Sequence, residues 1–129
     1  MSKRKPYLVK NYEIFTGNDL RIADRIQRLR YMILVHSCIY YILHDNLVED
    51  YQWDRWAKEL VELQKSYPYI SEKVMLYDAF ADFDGSTGFD LPIEEDWVIR
   101  IADKLLYKLP ITPNAYMENV KRKLKEATV

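Results

Sequence analysis

The chain has 129 residues, 49% of them hydrophobic, and its 19 basic and 20 acidic side chains leave a net charge of −1. That length suits a single domain, residues 1–129, with its own core, and the near-neutral charge excludes whole-protein attraction to nucleic acid. The lone Cys38 excludes an intramolecular disulfide and suits a reducing cytoplasm. No apolar run is long enough to span a membrane, and the N-terminus lacks the apolar centre of a signal peptide.

Three glycines leave little turn chemistry for a β-sandwich, so the chain reads as all-α with about five helices. Residues 1–17 are basic, with Lys3-Arg4-Lys5, and then mixed, which suits an extended segment. A first helix is expected from Asn18 or Asp19 as N-cap to about His44, with Ile22, Ile26, Leu29, Ile33 and Tyr40 on its apolar stripe. Asp45-Asn46 breaks it. A second helix is expected from Asp50, as N-cap, to just before Pro68, its stripe being Trp53, Trp56, Ala57, Leu60 and Leu63. A third is expected from Ser71 to about Phe83, before the loop Asp84-Gly85-Ser86-Thr87-Gly88. A fourth fits Ile93 to Lys108, entered through Asp90 and Pro92. Thr112-Pro113 reads as N-cap and N1 of a last helix to about Ala127.

The stretch with the most chemistry joins the first two helices. Tyr40 and Tyr41 close one of them, while Asp50, Trp53 and Asp54 open the next at i, i+3 and i+4 and so share a face. Flat aromatic faces beside two anions suit a flat, cationic, hydroxyl-rich ligand. A nicotinamide riboside is one: rings take the pyridinium, and carboxylates accept from ribose hydroxyls and the carboxamide. Each residue also has a plainer use. Tyr40 and Trp53 fit core packing, Asp50 fits an N-cap, and Asp54 fits a first-turn acid that complements the helix dipole or pairs with Arg55 or Lys58. His44 lies on the Tyr40 side of its helix and borders the same place. His36, eight residues before it, is too far to share a metal, and no Cys or His cluster supports zinc.

Two further stretches carry weaker signals. Asp82-Phe83-Asp84-Gly85-Ser86-Thr87-Gly88 is similar to the D-x-D-G-T start of haloacid-dehalogenase-type phosphatases, but only 41 residues follow it and no strand precedes it. Its glycine is also misplaced for an EF-hand. A helix-to-helix turn, or a backbone cradle for phosphate, fits it better. Lys121-Arg122-Lys123-Leu124-Lys125 reads as a solvated helix face, as a neutraliser of dinucleotide phosphates, or as a contact to a nucleic-acid backbone.

The stretch from Tyr40 to Trp56 resembles the start of bacterial NAD-dependent DNA ligases, whose N-terminal Ia domain carries roughly Y-Y/H-x8-D-x-x-Y-D-x-L. The resemblance continues through Glu59-Leu60-Val61-Glu62-Leu63-Gln64-Lys65-Ser66-Tyr67-Pro68, which is similar to E-L-x-x-L-E-x-x-Y-P. It covers roughly residues 20–70 without a gap. It implies a helical hairpin over 18–70, with additional helices over 71–129, and recognition of the nicotinamide mononucleotide (NMN) half of NAD by Tyr40, Tyr41, Asp50, Trp53 and Asp54. Trp53 stands where the family usually has Tyr; indole keeps the stacking face and lacks the phenol hydroxyl.

Ligation also needs a lysine nucleophile in a K-x-D-G motif, and the nearest string here, Asp82-Phe83-Asp84-Gly85, has an acid in its place. The expectation is therefore a non-catalytic nucleotide binder with no cofactor of its own and NMN, NAD or an NAD-derived nucleotide as ligand. Among phage proteins it would act as a sponge for NAD or for an immune signal such as cyclic ADP-ribose. Two other classes stay open. One is an accessory module that supplies NMN recognition in trans to a separate DNA ligase or replication partner. The other is an NAD glycohydrolase that uses the two acids. Eleven tyrosines and three tryptophans leave room for a homo-oligomer interface.

Overall fold

The computed structural model describes residues 15–107. Its elements are α1 (Gly17–Tyr41), α2 (Asp50–Ser66), α3 (Pro68–Ser71), α4 (Tyr77–Phe80) and α5 (Asp96–Tyr107), so the described chain is all-α. The expected last helix over 112–127 and both terminal basic clusters lie outside the described residues. These residues group into two compact units: residues up to Tyr31 with Asp54–Ser86, and Met32–Trp53 with residues from Thr87 onward. Each of α1 and α2 contributes to both.

In the first unit the apolar spacing of α1 works as expected. Ile22, Ile26 and Leu29 are buried, as are Ala57 and Leu60 of α2, and Ile70, Val74 and Phe80 complete this core. The two helical segments run antiparallel, since Asp19 accepts from the Tyr69 hydroxyl at 3.1 Å while Arg25 makes a two-pronged pair with Glu59 at 2.6 and 2.7 Å. The cap of α1 is not Asn18 or Asp19. The Thr16 carbonyl accepts from Leu20 N–H at 3.3 Å, and Gly17 takes φ +59° at the entry.

The third expected helix, from Ser71 to Phe83, does not form as one piece. Two single turns, α3 and α4, flank an irregular stretch in which Leu76 adopts a left-handed φ of 70°. Arg30 supplies the physical reason. Its fully buried guanidinium reaches from α1 and donates to the carbonyls of Ser71 (3.1 Å), Val74 (3.0 Å) and Met75 (2.9 Å). Those carbonyls point at a cation and not along a helix axis, so the i→i−4 ladder cannot continue through them. Ser71 Oγ and Gln64 Oε1 complete the shell, at 2.7 Å and at 2.8 and 3.0 Å. Burial pulls the Arg30 pKa down to about 10, which still leaves it cationic at neutral pH.

In the second unit Ile33, Leu34, Cys38, Ile39 and Leu43 are buried, together with Leu91, Ile93, Val98 and Ala102. The fourth expected helix starts later than Ile93. Leu91 and Ile93 anchor a turn, in which Ile93 N–H donates to the Leu91 carbonyl at 2.7 Å, and α5 begins at Asp96 once the Glu95 carbonyl accepts from Ile99 N–H at 3.0 Å. Among the described residues no helix is long and apolar enough to cross a membrane.

Candidate functional site

The end of α1 builds the site. The helix stops at Tyr41, three residues before the expected His44, and His44 itself sits in the left-handed region at φ 55°. That turn lets Asp45 N–H reach back to the Ile39 carbonyl at 3.0 Å, and Asp45 Oδ1 then accepts from Asn46 N–H at 2.8 Å. The result is an open depression of about 400 Å³ lined by Tyr40, Tyr41, His44, Asp45 and Asn46.

Tyr40 does not join the apolar stripe that the spacing suggests. Its ring is 57% exposed, while Cys38, Ile39 and Leu43 around it take the core positions. Core packing is therefore not its role. Tyr41 is half-buried and meets Tyr40 edge-on, ring centroids 4.9 Å apart at 87°. The Tyr41 hydroxyl hydrogen-bonds Thr87 Oγ1 at 3.0 Å, which fixes the second ring and through it the first.

Electrostatics at this place favour a cation. The depression lies at the carboxyl end of α1, where the helix dipole amounts to roughly half a negative charge. No basic residue in the last turn of α1 offsets it, and Asp45 adds a carboxylate. A positively charged flat ring fits there better than a phosphate does.

Of the other expected site residues, Asp50 is exposed at the first position of α2 and is not its cap. Glu49 holds the cap position, its carbonyl accepting from Trp53 N–H at 3.2 Å while the Gln52 side chain accepts from Glu49 N–H at 3.3 Å. The latter is one half of a capping box, and it frees the Asp50 carboxylate from capping. Trp53 is half-buried and its indole N–H donates to Ser37 Oγ at 3.2 Å. Gly88 packs behind this pair: a Cβ there would collide with Ser37 Oγ and come within 3.3 Å of Trp53 Cζ2. Asp54 is exposed on α2 but groups with the other unit. The structure thus gathers Tyr40, Tyr41 and His44 into one depression, while Asp50 and Trp53 lie outside its lining.

Sequence reasoning missed Ser37 and Phe89 and read Thr87 and Gly88 only as part of a turn or phosphate cradle, whereas these four hold the aromatic residues. Their signal is faint, because small and turn-forming residues carry no chemistry until folding places them. The loop they partly share behaves as a turn at Asp84, whose Oδ1 accepts from Ser86 N–H at 2.9 Å and Ser86 Oγ at 2.6 Å. These bonds hold the Asp84 carboxyl below its usual range. Among the described residues no group of three or more His, Cys, Asp or Glu is arranged to hold a metal.

Comparison with known proteins finds the same segment. The family described as DNA ligase-like, N-terminal NAD+-binding domain matches residues 19–73. Over 49 residues the chain is 45% identical to the DNA ligase of Pseudothermotoga lettingae and 43% identical to that of Petrotoga mobilis, each time covering 38% of this chain and 7% of the ligase. The DNA ligase of Malacoplasma penetrans is 37% identical over 76 residues, covering 48% of this chain and 11% of that protein. The chain thus spans about a tenth or less of the length of these curated relatives. No solved structure matches. The similarity to DNA ligase-like, N-terminal NAD+-binding domains thus lies in residues 19–73, fewer than half of this chain.

Proposed function

We propose that this protein binds a nucleotide carrying a nicotinamide–ribose group, as NMN, NAD or an NAD-derived species, and does no catalysis of its own. The observation that carries the reading is the exposed Tyr40 ring, braced edge-on by Tyr41 at the negative end of α1, within a segment similar to ligase-like NAD+-binding domains. Tyr40 offers a π-face to the pyridinium, worth about 0.5–2 kcal/mol according to how far water is excluded. On this reading His44 and Asn46, which line the depression, would bond the carboxamide, and Asp50 and Trp53 would serve the ribose. Asp54 enters only through the family pattern.

The absence of catalysis is proposed because no K-x-D-G lysine occurs in these 129 residues. A binder that does not turn its ligand over sequesters it. Its use, on this reading, is to withdraw NAD or an NAD-derived immune signal in the cytoplasm of a phage-infected cell. Titration calorimetry with NMN, NAD, ADP-ribose and cyclic ADP-ribose tests this. Nicotinamide-bearing ligands are expected to bind, and Tyr40→Ala to weaken them about tenfold. Lack of heat with every ligand at millimolar concentration sinks the reading. Chromatography of NAD after incubation should show the intact dinucleotide; released nicotinamide would make the protein a glycohydrolase.

A further inference from the structure

Tyr41 is braced on two sides, and the second brace is Phe89. The Phe89 ring stands 5.3 Å from that of Tyr41 at 72°, again edge-on, and is 62% exposed. Tyr40, Tyr41 and Phe89 therefore form a row with both end rings open to solvent. Phe89 lies outside the segment that matches the ligase-like family, which ends at residue 73.

A phenyl group has no polar atom that would draw it to water, so its exposure leaves apolar surface that a flat partner would gain by covering. Phe89 is also not at the tip of a loose loop. Its N–H donates to Thr87 Oγ1 at 3.1 Å, and the same hydroxyl oxygen meets the Tyr41 hydroxyl at 3.0 Å. The next residue in this turn, Gly88, is buried and wedged against Ser37 and Trp53 so tightly that no Cβ fits. The turn is thus pinned to the same side chains that fix the rest of the row. An apolar ring held in place yet left open is preorganised for stacking: little conformational entropy remains to be lost when a flat partner arrives.

We propose that Phe89 is a second base-stacking subsite, so that the ligand is a dinucleotide whose second ring, a purine, lies on Phe89 while the nicotinamide occupies the Tyr40 side. The inference rests on the nicotinamide reading and goes past it: an NMN site needs one ring face, whereas this chain presents two, separated by Tyr41. Stacking on a phenyl face needs no charge and no particular base edge, which matches the apolar character of Phe89. Phe89 is a binding residue here and has no part in any bond change.

The test compares NAD with NMN on the intact chain by calorimetry. Wild type is expected to bind NAD about tenfold more tightly than NMN, the usual size of one base–aromatic stack. Phe89→Ala should abolish that preference, lowering NAD affinity about tenfold and NMN affinity far less because Thr87 still holds the Tyr41 hydroxyl, and Phe89→Trp should keep or enlarge it. Because the ring is exposed, neither variant should disturb folding, and an unchanged melting temperature checks this. Equal losses for NAD and NMN in Phe89→Ala would overturn the inference, since Phe89 would then wall the nicotinamide itself. No loss for either ligand would overturn it too, with the nicotinamide site left standing. Failure of wild type to bind NMN or NAD would remove the nicotinamide reading, and this inference with it.

Discussion

Replacing Arg30 by methionine tests the account of why residues 71–76 are not helical. Methionine fills most of the volume and removes every donor. Two opposing terms set the result. Bringing the guanidinium out of water costs the native state roughly 3 kcal/mol, the free-energy equivalent of moving its pKa from 12.5 to about 10; Arg30→Met recovers that. Against it, the carbonyls of Val74 and Met75 and the Gln64 Oε1 lose their donor, at about 1–3 kcal/mol for each acceptor left unsatisfied; the Ser71 carbonyl keeps Val74 N–H at 3.3 Å. Three such losses come to roughly 6 kcal/mol, so the stranded acceptors win and a net destabilisation of about 3 kcal/mol is expected. Arg30→Ala adds a cavity and should cost about 1–2 kcal/mol more. Urea unfolding followed by far-UV circular dichroism reads this as a fall in midpoint at constant slope. If Arg30→Met unfolds within 0.5 kcal/mol of wild type (about the error of such a measurement), the carbonyls do not depend on the guanidinium, and the explanation of the broken third helix is wrong.

Three other outcomes follow from side chains in both units. Gly88→Ala should push Ser37 away from Trp53 and break the 3.2 Å indole bond. It should destabilise by about 1–3 kcal/mol and alter the near-UV dichroism of tryptophan; an unchanged spectrum would mean the turn is not clamped there. Cys38 is fully buried and burial pushes its thiol up to about 12, so a thiol reagent at pH 8 should label it only as fast as the protein opens. Rapid labelling of native protein would contradict that burial. The hydrogen bonds from Arg25 hold the Glu59 carboxyl below its ordinary 4.5. A depressed folded pKa means the contribution is present above the unfolded value and disappears as pH falls through the folded one. Glu59→Gln should therefore cost well under 1 kcal/mol at pH 7, because both partners are more than one-third exposed. The gap to wild type should close in acid; a gap that widens there would show that the pair is not the cause.

By itself, the sequence determined the helical class, the extent of α2, the buried faces of α1 and α2 in the first unit, and the ligase-like similarity of residues 19–73. These depend on local periodicity and on an ungapped string of residue types, both of which a chain displays before it folds. Tertiary structure decided what periodicity cannot express. Tyr40 has stripe spacing yet lies open, because the turn at His44 ends α1 and Cys38, Ile39 and Leu43 fill the core in its place. Residues 71–76 have helix-forming composition yet bend around a cation from a residue more than forty positions earlier. Phe89 joins the aromatic row only because Thr87 and Gly88 are pinned to side chains of α1 and α2. Each depends on a partner far away in the chain, and a buried arginine or a clamped turn takes on its role only when that partner arrives.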